Sequence, residues 1–200
     1  MDGNERRKKL KRQAIMNAAT EMFVTNGYTK TSVQQIAKKA NSSQVTLYKY
    51  FPSKADLARE VVLSLVVDGY AHYEKQLDDP TKPFIDKMKV MMEKSVGVSD
   101  RMNDDFFRFM IDEFQGRNGD THVMEEYDRL KYGFWRKLLA QGRAEHVVSD
   151  ELSDYGAMIY LDMYVKYVMQ PGGVSVERAT QMKKHEKELV HLFFYGIIGQ

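Results

Sequence analysis

The stretch SSQVTLYKYFPSK, residues 42–54, leaves the chain one local option. Ser43 offers a side-chain oxygen to the unpaired N–H groups of a helix start, and Pro52 drives the residue before it out of helical geometry. Between them, Gln44 to about Tyr50 is a helix of roughly two turns. Leu47 and Phe51 stand four apart and share a face, which predicts a buried side against Ile36 and Ala40. Gln44, Val45, Thr46, Tyr48 and Lys49 then point outward, with Tyr50 at the flank. A helix facing only water has little use for an outward valine and tyrosine.

The same kind of punctuation frames the neighbouring segments. Ile15, Ala18, Ala19, Met22 and Phe23 recur at helical spacing, so a first helix runs from about Glu5 to Thr25 and stops at Asn26-Gly27. A short helix over about 32–39 starts at Thr31 or Ser32, with Gln34 or Gln35 as the return partner of a capping box. Ser53 and Asp56 form another such box, with Pro52 and Leu57 as its hydrophobic staple, and open a long helix from Lys54 to about Leu77. Beyond Pro80 the pattern predicts five more helices, at about 82–96, 101–115, 121–143, 150–170 and 175–198. Gly116/Gly119, Gly142 and Pro171-Gly172-Gly173 separate them. No segment alternates as a strand would. The expected fold is all-α, with about nine helices.

Composition narrows the function classes. The 200 residues contain no cysteine, so disulfides, thiolate metal sites and cysteine nucleophiles are out. No run approaches the roughly eighteen apolar residues of a membrane span, and MDGNERRKKLKRQ lacks the apolar stretch of a signal peptide. A cytoplasmic protein with no membrane partner is expected. His72, His122, His146, His185 and His191 fall in no paired metal or catalytic spacing, and no phosphate loop or GxSxG is present. No catalytic residue, metal or cofactor is expected. Charge divides the chain: residues 1–60 hold twelve Lys/Arg against five Asp/Glu, and the other 140 hold 18 against 23. A basic front on an acidic back predicts a polyanion partner for the front.

Two short helices joined by a tight turn and braced by a longer one make a helix-turn-helix. Glutamine can pair with adenine and lysine with guanine in a major groove, where valine and threonine methyls can meet thymine. Tyrosine hydroxyls and helix starts reach phosphates, and the run Arg6, Arg7, Lys8, Lys9, Lys11, Arg12 adds charge nearby. The candidate DNA-binding residues are Thr31, Ser43, Gln44, Val45, Thr46, Tyr48, Lys49, Tyr50 and Lys54. The plainer alternatives are a solvated Lys49 and half-buried Tyr48 and Tyr50. GYTKTSVQQIAKKANSSQVTLYKYFPSKADL, Gly27 to Leu57, resembles the DNA-binding segment of the TetR family of bacterial transcriptional regulators, and with the first helix the resemblance covers about 60 residues. It implies a helix-turn-helix domain over 1–53 and a helical ligand-binding and dimerisation domain over 54–200. Where such proteins usually carry glycine and an aliphatic residue in the turn, this chain has Asn41-Ser42. Val45 replaces a residue that is often smaller.

The back half is apolar almost all round in two places. From Met158 to Met169 the only charges are Asp162 and Lys166, an i, i+4 pair, and Leu189 to Ile198 is similar. Such helices need cover on more than one side, and a twofold four-helix seam supplies it. The candidate seam residues are Tyr160, Tyr164, Leu189, Leu192, Phe193, Gly196 and Ile197. The resemblance implies the same dimer. Met91, Phe107 and the ligand candidates Met92, Phe106, Phe109, Met110, Phe114, Trp135 and Met158 are either plain core or the lining of an effector pocket. Asp105, Asp112 and Glu113 offer charge to a cationic group, or Asp112 and Glu113 form a solvated face. The expected function is a TetR-like repressor that binds a palindromic double-stranded operator as a homodimer and releases it on binding a small, largely apolar effector. The alternatives are a DNA-binding dimer with no effector and a membrane-surface or RNA-binding module.

Overall fold

The computed structural model describes residues 3–95, 102–168 and 184–198. Nine helices account for the regular structure among the described residues: α1 (Gly3–Asn26), α2 (Val33–Lys39), α3 (Gln44–Tyr50), α4 (Lys54–Leu77), α5 (Phe84–Ser95), α6 (Asp104–Phe114), α7 (His122–Ala144), α8 (Asp154–Val168) and α9 (Glu186–Ile198). The all-α expectation holds. The segment carrying Pro171-Gly172-Gly173 and the start of the expected last helix lie outside the described residues, as do the side chains of Met92, Tyr164, Lys166, Phe193 and Ile197.

Local chemistry sets the boundaries at the front. Gly27, at φ +88°, ends α1 in the left-handed region and donates its N–H to Phe23 O. Ser32 is the N-cap of α2, and its box closes with Gln35. Thr31 is not the cap: its hydroxyl is buried and donates to Gly27 O at 2.7 Å. α2 ends in a Schellman turn, with Asn41 N–H on Lys38 O and Ser42 N–H on Ala37 O. Asn41 holds φ +48° there, a conformation that asparagine tolerates and glycine takes freely. Ser43 caps α3 through Thr46 N–H, and Phe51 is extended ahead of Pro52. Ser53 accepts from Asp56 N–H and donates its hydroxyl to the Asp56 carboxylate, which opens α4.

The chain divides into two compact units, residues 1–66 with 99–125 and residues 67–98 with 126–200. The expected division at 53/54 does not coincide with this one. α6 joins the front unit because its aromatic face packs there: Phe106 stacks on Phe23 at 5.4 Å and Phe109 on Tyr28 at 4.4 Å between ring centroids. In the second unit Phe84, Met88, Trp135, Leu138, Leu139 and Leu161 form the centre of the core. The buried Lys87 ammonium donates to Leu77 O at the end of α4, and Glu145 accepts from Phe84 N–H at the start of α5. Gly142 does not end α7, which runs on to Ala144. Its role is close packing, since a Cβ there would collide with Val148 and Phe84.

Candidate nucleic-acid interface

α3 separates its residues as its spacing demands. Leu47 and Phe51 are 0% and 1% exposed, joining Ile36 and Ala40 in the front core. Gln44, Val45, Tyr48 and Lys49 are exposed, Val45 at 68% and Tyr48 at 47%. Thr46 and Tyr50 are half-buried, the Thr46 hydroxyl lying 2.9 Å from Ser43 Oγ. Ser43 is exposed beside its cap. The Thr31 side chain does not face outward, because its buried hydroxyl is held by the Met22 and Gly27 carbonyls. Lys54 is half-buried, with its ammonium over the Tyr28 ring at 4.3 Å. Burial lowers its pKa below that of ordinary lysine, against the attraction of Asp105.

The basic run divides into spent and free cations. Lys11 Nζ donates to Asn41 O in the turn, and Arg12 lies over Phe51 while pairing with Glu60 at 2.8 Å. These two brace the helix-turn-helix instead of adding unpaired charge. Lys8 pairs with Glu5 and Lys39 with Glu21. Arg6, Lys9, Lys30, Lys38 and Lys49 make no ion pair among the described residues.

The expected effector residues fall into both units. Phe106, Met110 and Phe114 are buried and Phe109 half-buried in the front unit; Trp135 is buried and Met158 half-buried in the second. The three carboxylates among the phenylalanines are all engaged. Asp105 accepts from the Thr29 N–H and hydroxyl, and Asp112 pairs with Arg117. Glu113 is fully buried, so the solvated-face reading fails for it: Arg59 Nε donates to both of its oxygens and Asn118 to one. Asp162 is bonded to Lys131 Nζ at 2.8 Å and to the Tyr132 hydroxyl at 2.8 Å, across helices. Burial would lower the Lys131 pKa, but its bonds to Asp128 and Asp162 outweigh that and raise it. A cleft of about 400 Å³ lies in the second unit, lined by Tyr132, Arg136, Asp154, Tyr155 and Met158. Arg143 approaches Asp154 there to 2.8 Å, an ion pair whose angles fall outside hydrogen-bond geometry.

The expected seam residues are open where their side chains are described. Tyr160, Leu192 and Gly196 are exposed and Leu189 is half-buried. Tyr155, Ile159 and Met163, at i, i+4 and i+8 on α8, extend that apolar surface at 78%, 46% and 64% exposure. A Cβ on Gly196 would stand 3.0 Å from the Tyr160 hydroxyl. Among the described residues no helix is long and apolar enough to cross a membrane, and no group of three or more His, Asp or Glu could hold a metal ion.

Residues 15–61, which hold α2, α3 and the second half of α1, match the family description "Bacterial regulatory proteins, tetR family". The front of the chain carries a TetR-family segment. YvdT of Bacillus subtilis, an uncharacterised HTH-type transcriptional regulator, is 21% identical over 90% of this chain and 91% of its own length. The structure of SmeT, the repressor of the Stenotrophomonas maltophilia multidrug efflux pump SmeDEF, matches at TM-score 0.66 with 17% identity, over 94% of this chain and 91% of that one. FadR from Bacillus subtilis, solved in complex with stearoyl-CoA, matches at 0.63 with 16% identity, over 92% and 98%. At these identities the solved structures establish a shared fold.

Several residues of the chain give no sequence signal for the part they take. Thr29 and Asp105 meet across 76 positions, and Arg59 and Glu113 across 54. Nothing local in either segment announces its partner. Tyr155 and Ile159 were legible, since they continue the apolar periodicity of α8 toward Met163.

Proposed function

We propose that this chain is a TetR-like repressor that binds a palindromic operator as a homodimer and releases it when a small, largely apolar effector binds. The observation that carries the DNA reading is the split on α3: Leu47 and Phe51 are sealed in the core while Gln44, Val45, Tyr48 and Lys49 stand free. Gln44 and Lys49 supply the hydrogen-bond donors that read base edges, and Val45 supplies an apolar contact for a thymine methyl. Ser43, Thr46, Tyr50 and Lys54 lie at the margins, where phosphate contact positions the helix. The DNA-reading domain on this reading is residues 1–53.

The dimer reading rests on the apolar surface of α8 and α9. Tyr155, Ile159, Tyr160, Met163 and Leu192 are too many large apolar groups in two helices to leave in water. A twofold pairing covers them and sets two recognition helices about one helical turn of DNA apart, or a multiple of it. For the effector, the second unit offers the cleft beside Met158, whose tyrosines and thioether suit an apolar body. SmeT has been solved with triclosan and FadR with stearoyl-CoA. α4 contributes residues to both compact units, so a shift of it on effector binding would alter the recognition helices. Effector and operator then weaken each other by the same factor.

Selection of bound duplexes from a random pool tests the reading. It should return an inverted repeat, and Lys49→Ala should relax one position in each half. A pool that yields no enrichment, or a single unrepeated site, overturns it. A thermal-shift screen of apolar compounds against the full chain tests the effector: stabilising compounds that also release the selected duplex are expected, and none would leave a DNA-binding dimer without an effector.

A further inference from the structure

Lys54 was expected as a phosphate ligand, yet its ammonium does not stand in open solvent. It lies over the face of Tyr28, 4.3 Å from the ring centroid, and the same ring stacks on Phe109 of α6 at 4.4 Å and 19°. The ring itself is pinned. The next residue, Thr29, gives both its N–H and its hydroxyl to the Asp105 carboxylate at 2.6 and 2.9 Å. Asn103 N–H donates to Val24 O at 2.8 Å, and Asp105 N–H donates to Asn103 Oδ1. Gly27 lies under this clamp so closely that a Cβ would reach 2.5 Å from Asn103 Oδ1. Three residues from α6 and its N-cap, Asn103, Asp105 and Phe109, thus hold the turn between α1 and α2, and the turn holds Lys54.

We infer that Asp105 and Phe109 are positioning residues for DNA binding: they touch no DNA, and they aim the Lys54 ammonium at a backbone phosphate through the Tyr28 ring. This rests on the DNA-binding reading above. A lysine has four rotatable bonds in its stem, and an ammonium left free spends most of its time elsewhere. An aromatic face that attracts the cation narrows that range without neutralising the charge. A carboxylate in direct contact would compete with phosphate for the charge; a ring face leaves it available.

The measurement is the slope of log affinity against log salt for the full chain and the duplex recovered from a random pool. Each lost phosphate contact reduces that slope by about 0.9. Lys54→Gln is expected to reduce it by one such step. Asp105→Ala and Phe109→Leu should each reduce it by up to the same step, and adding either to Lys54→Gln should change nothing further. Tyr28→Phe keeps the ring and should restore the slope that Tyr28→Leu loses. A purely structural role would lower thermal stability and leave the slope unmoved. The inference is overturned if Asp105→Ala and Phe109→Leu, shown folded by circular dichroism, keep the wild-type slope, or if their effects add to that of Lys54→Gln. If the wild-type chain binds no duplex, or Lys54→Gln leaves the slope intact, the phosphate role of Lys54 fails first and takes the positioning role with it.

Discussion

α3 and α8 both expose large apolar side chains, and the difference between them shows how to tell two kinds of partner apart. On α3, Val45 and Tyr48 alternate with Gln44 and Lys49, so each apolar group sits beside a donor. That mixture suits a surface carrying both methyl groups and hydrogen-bond acceptors, as a major groove does. On α8, Tyr155, Ile159 and Met163 follow one another at i, i+4 and i+8 with no charge among them. The acids nearby are engaged: Asp162 is turned toward Lys131 and Tyr132, and Asp154 pairs with Arg143. Such a strip suits another strip like itself. Where a large apolar surface calls for cover, the polar groups beside it point to the sort of partner.

Salt separates the two surfaces most sharply. If six to ten phosphates are contacted, operator affinity should fall by about 10³–10⁵ between about 50 and 200 mM salt. Self-association through α8 and α9 should hold over the same range, since apolar burial is not screened. Sedimentation and duplex-binding isotherms in parallel check this, and two equally salt-sensitive equilibria would erase the distinction.

Next in size is the seam. Ile159→Glu or Gly196→Arg should give a folded monomer in sedimentation and weaken operator binding by about 10²–10⁴, because two linked half-site contacts become one. A dimeric, DNA-competent Gly196→Arg would place the seam elsewhere.

Lys49→Ala should cost about 1–3 kcal/mol at one base position and leave thermal stability unchanged. Equal loss on every sequence would mean that Lys49 meets phosphate instead. The smallest effect lies in the turn behind α3. Asn41→Gly should stabilise the chain by up to about 1 kcal/mol, whereas Asn41→Ala should destabilise it by about 1–2 kcal/mol at φ +48°. Chemical denaturation of both variants decides it, and a stable Asn41→Ala would remove the strain argument.

How much was legible follows the distance between partners. The caps at Ser43 and Ser53, the stop at Pro52 and the buried pair Leu47 and Phe51 all act within four residues, and a reader of the chain finds them without a structure. A threonine beside a helix start has two uses: of Thr31 and Ser32, Ser32 takes the cap, while the Thr31 hydroxyl turns to Met22 O and Gly27 O. Lys11 and Arg12 read as free positive charge, yet their acceptors, Asn41 O and Glu60, lie 30 and 48 residues away. The phenylalanines of α6 suit core or pocket alike, and periodicity cannot say which neighbour a buried face will meet.

The sequence by itself determined where the front helices begin and end, which face of α3 is buried and that the fold is helical, because hydrogen-bonded turns, caps and side-chain spacing are short-range physics. Only the tertiary structure decided that α6 packs with the front unit, that Asp105 holds Thr29, that Glu113 is buried on Arg59 and that Gly142 serves packing. Those outcomes depend on which surfaces meet once the helices exist. A carboxylate carries no mark of the partner it will find 54 or 76 residues away.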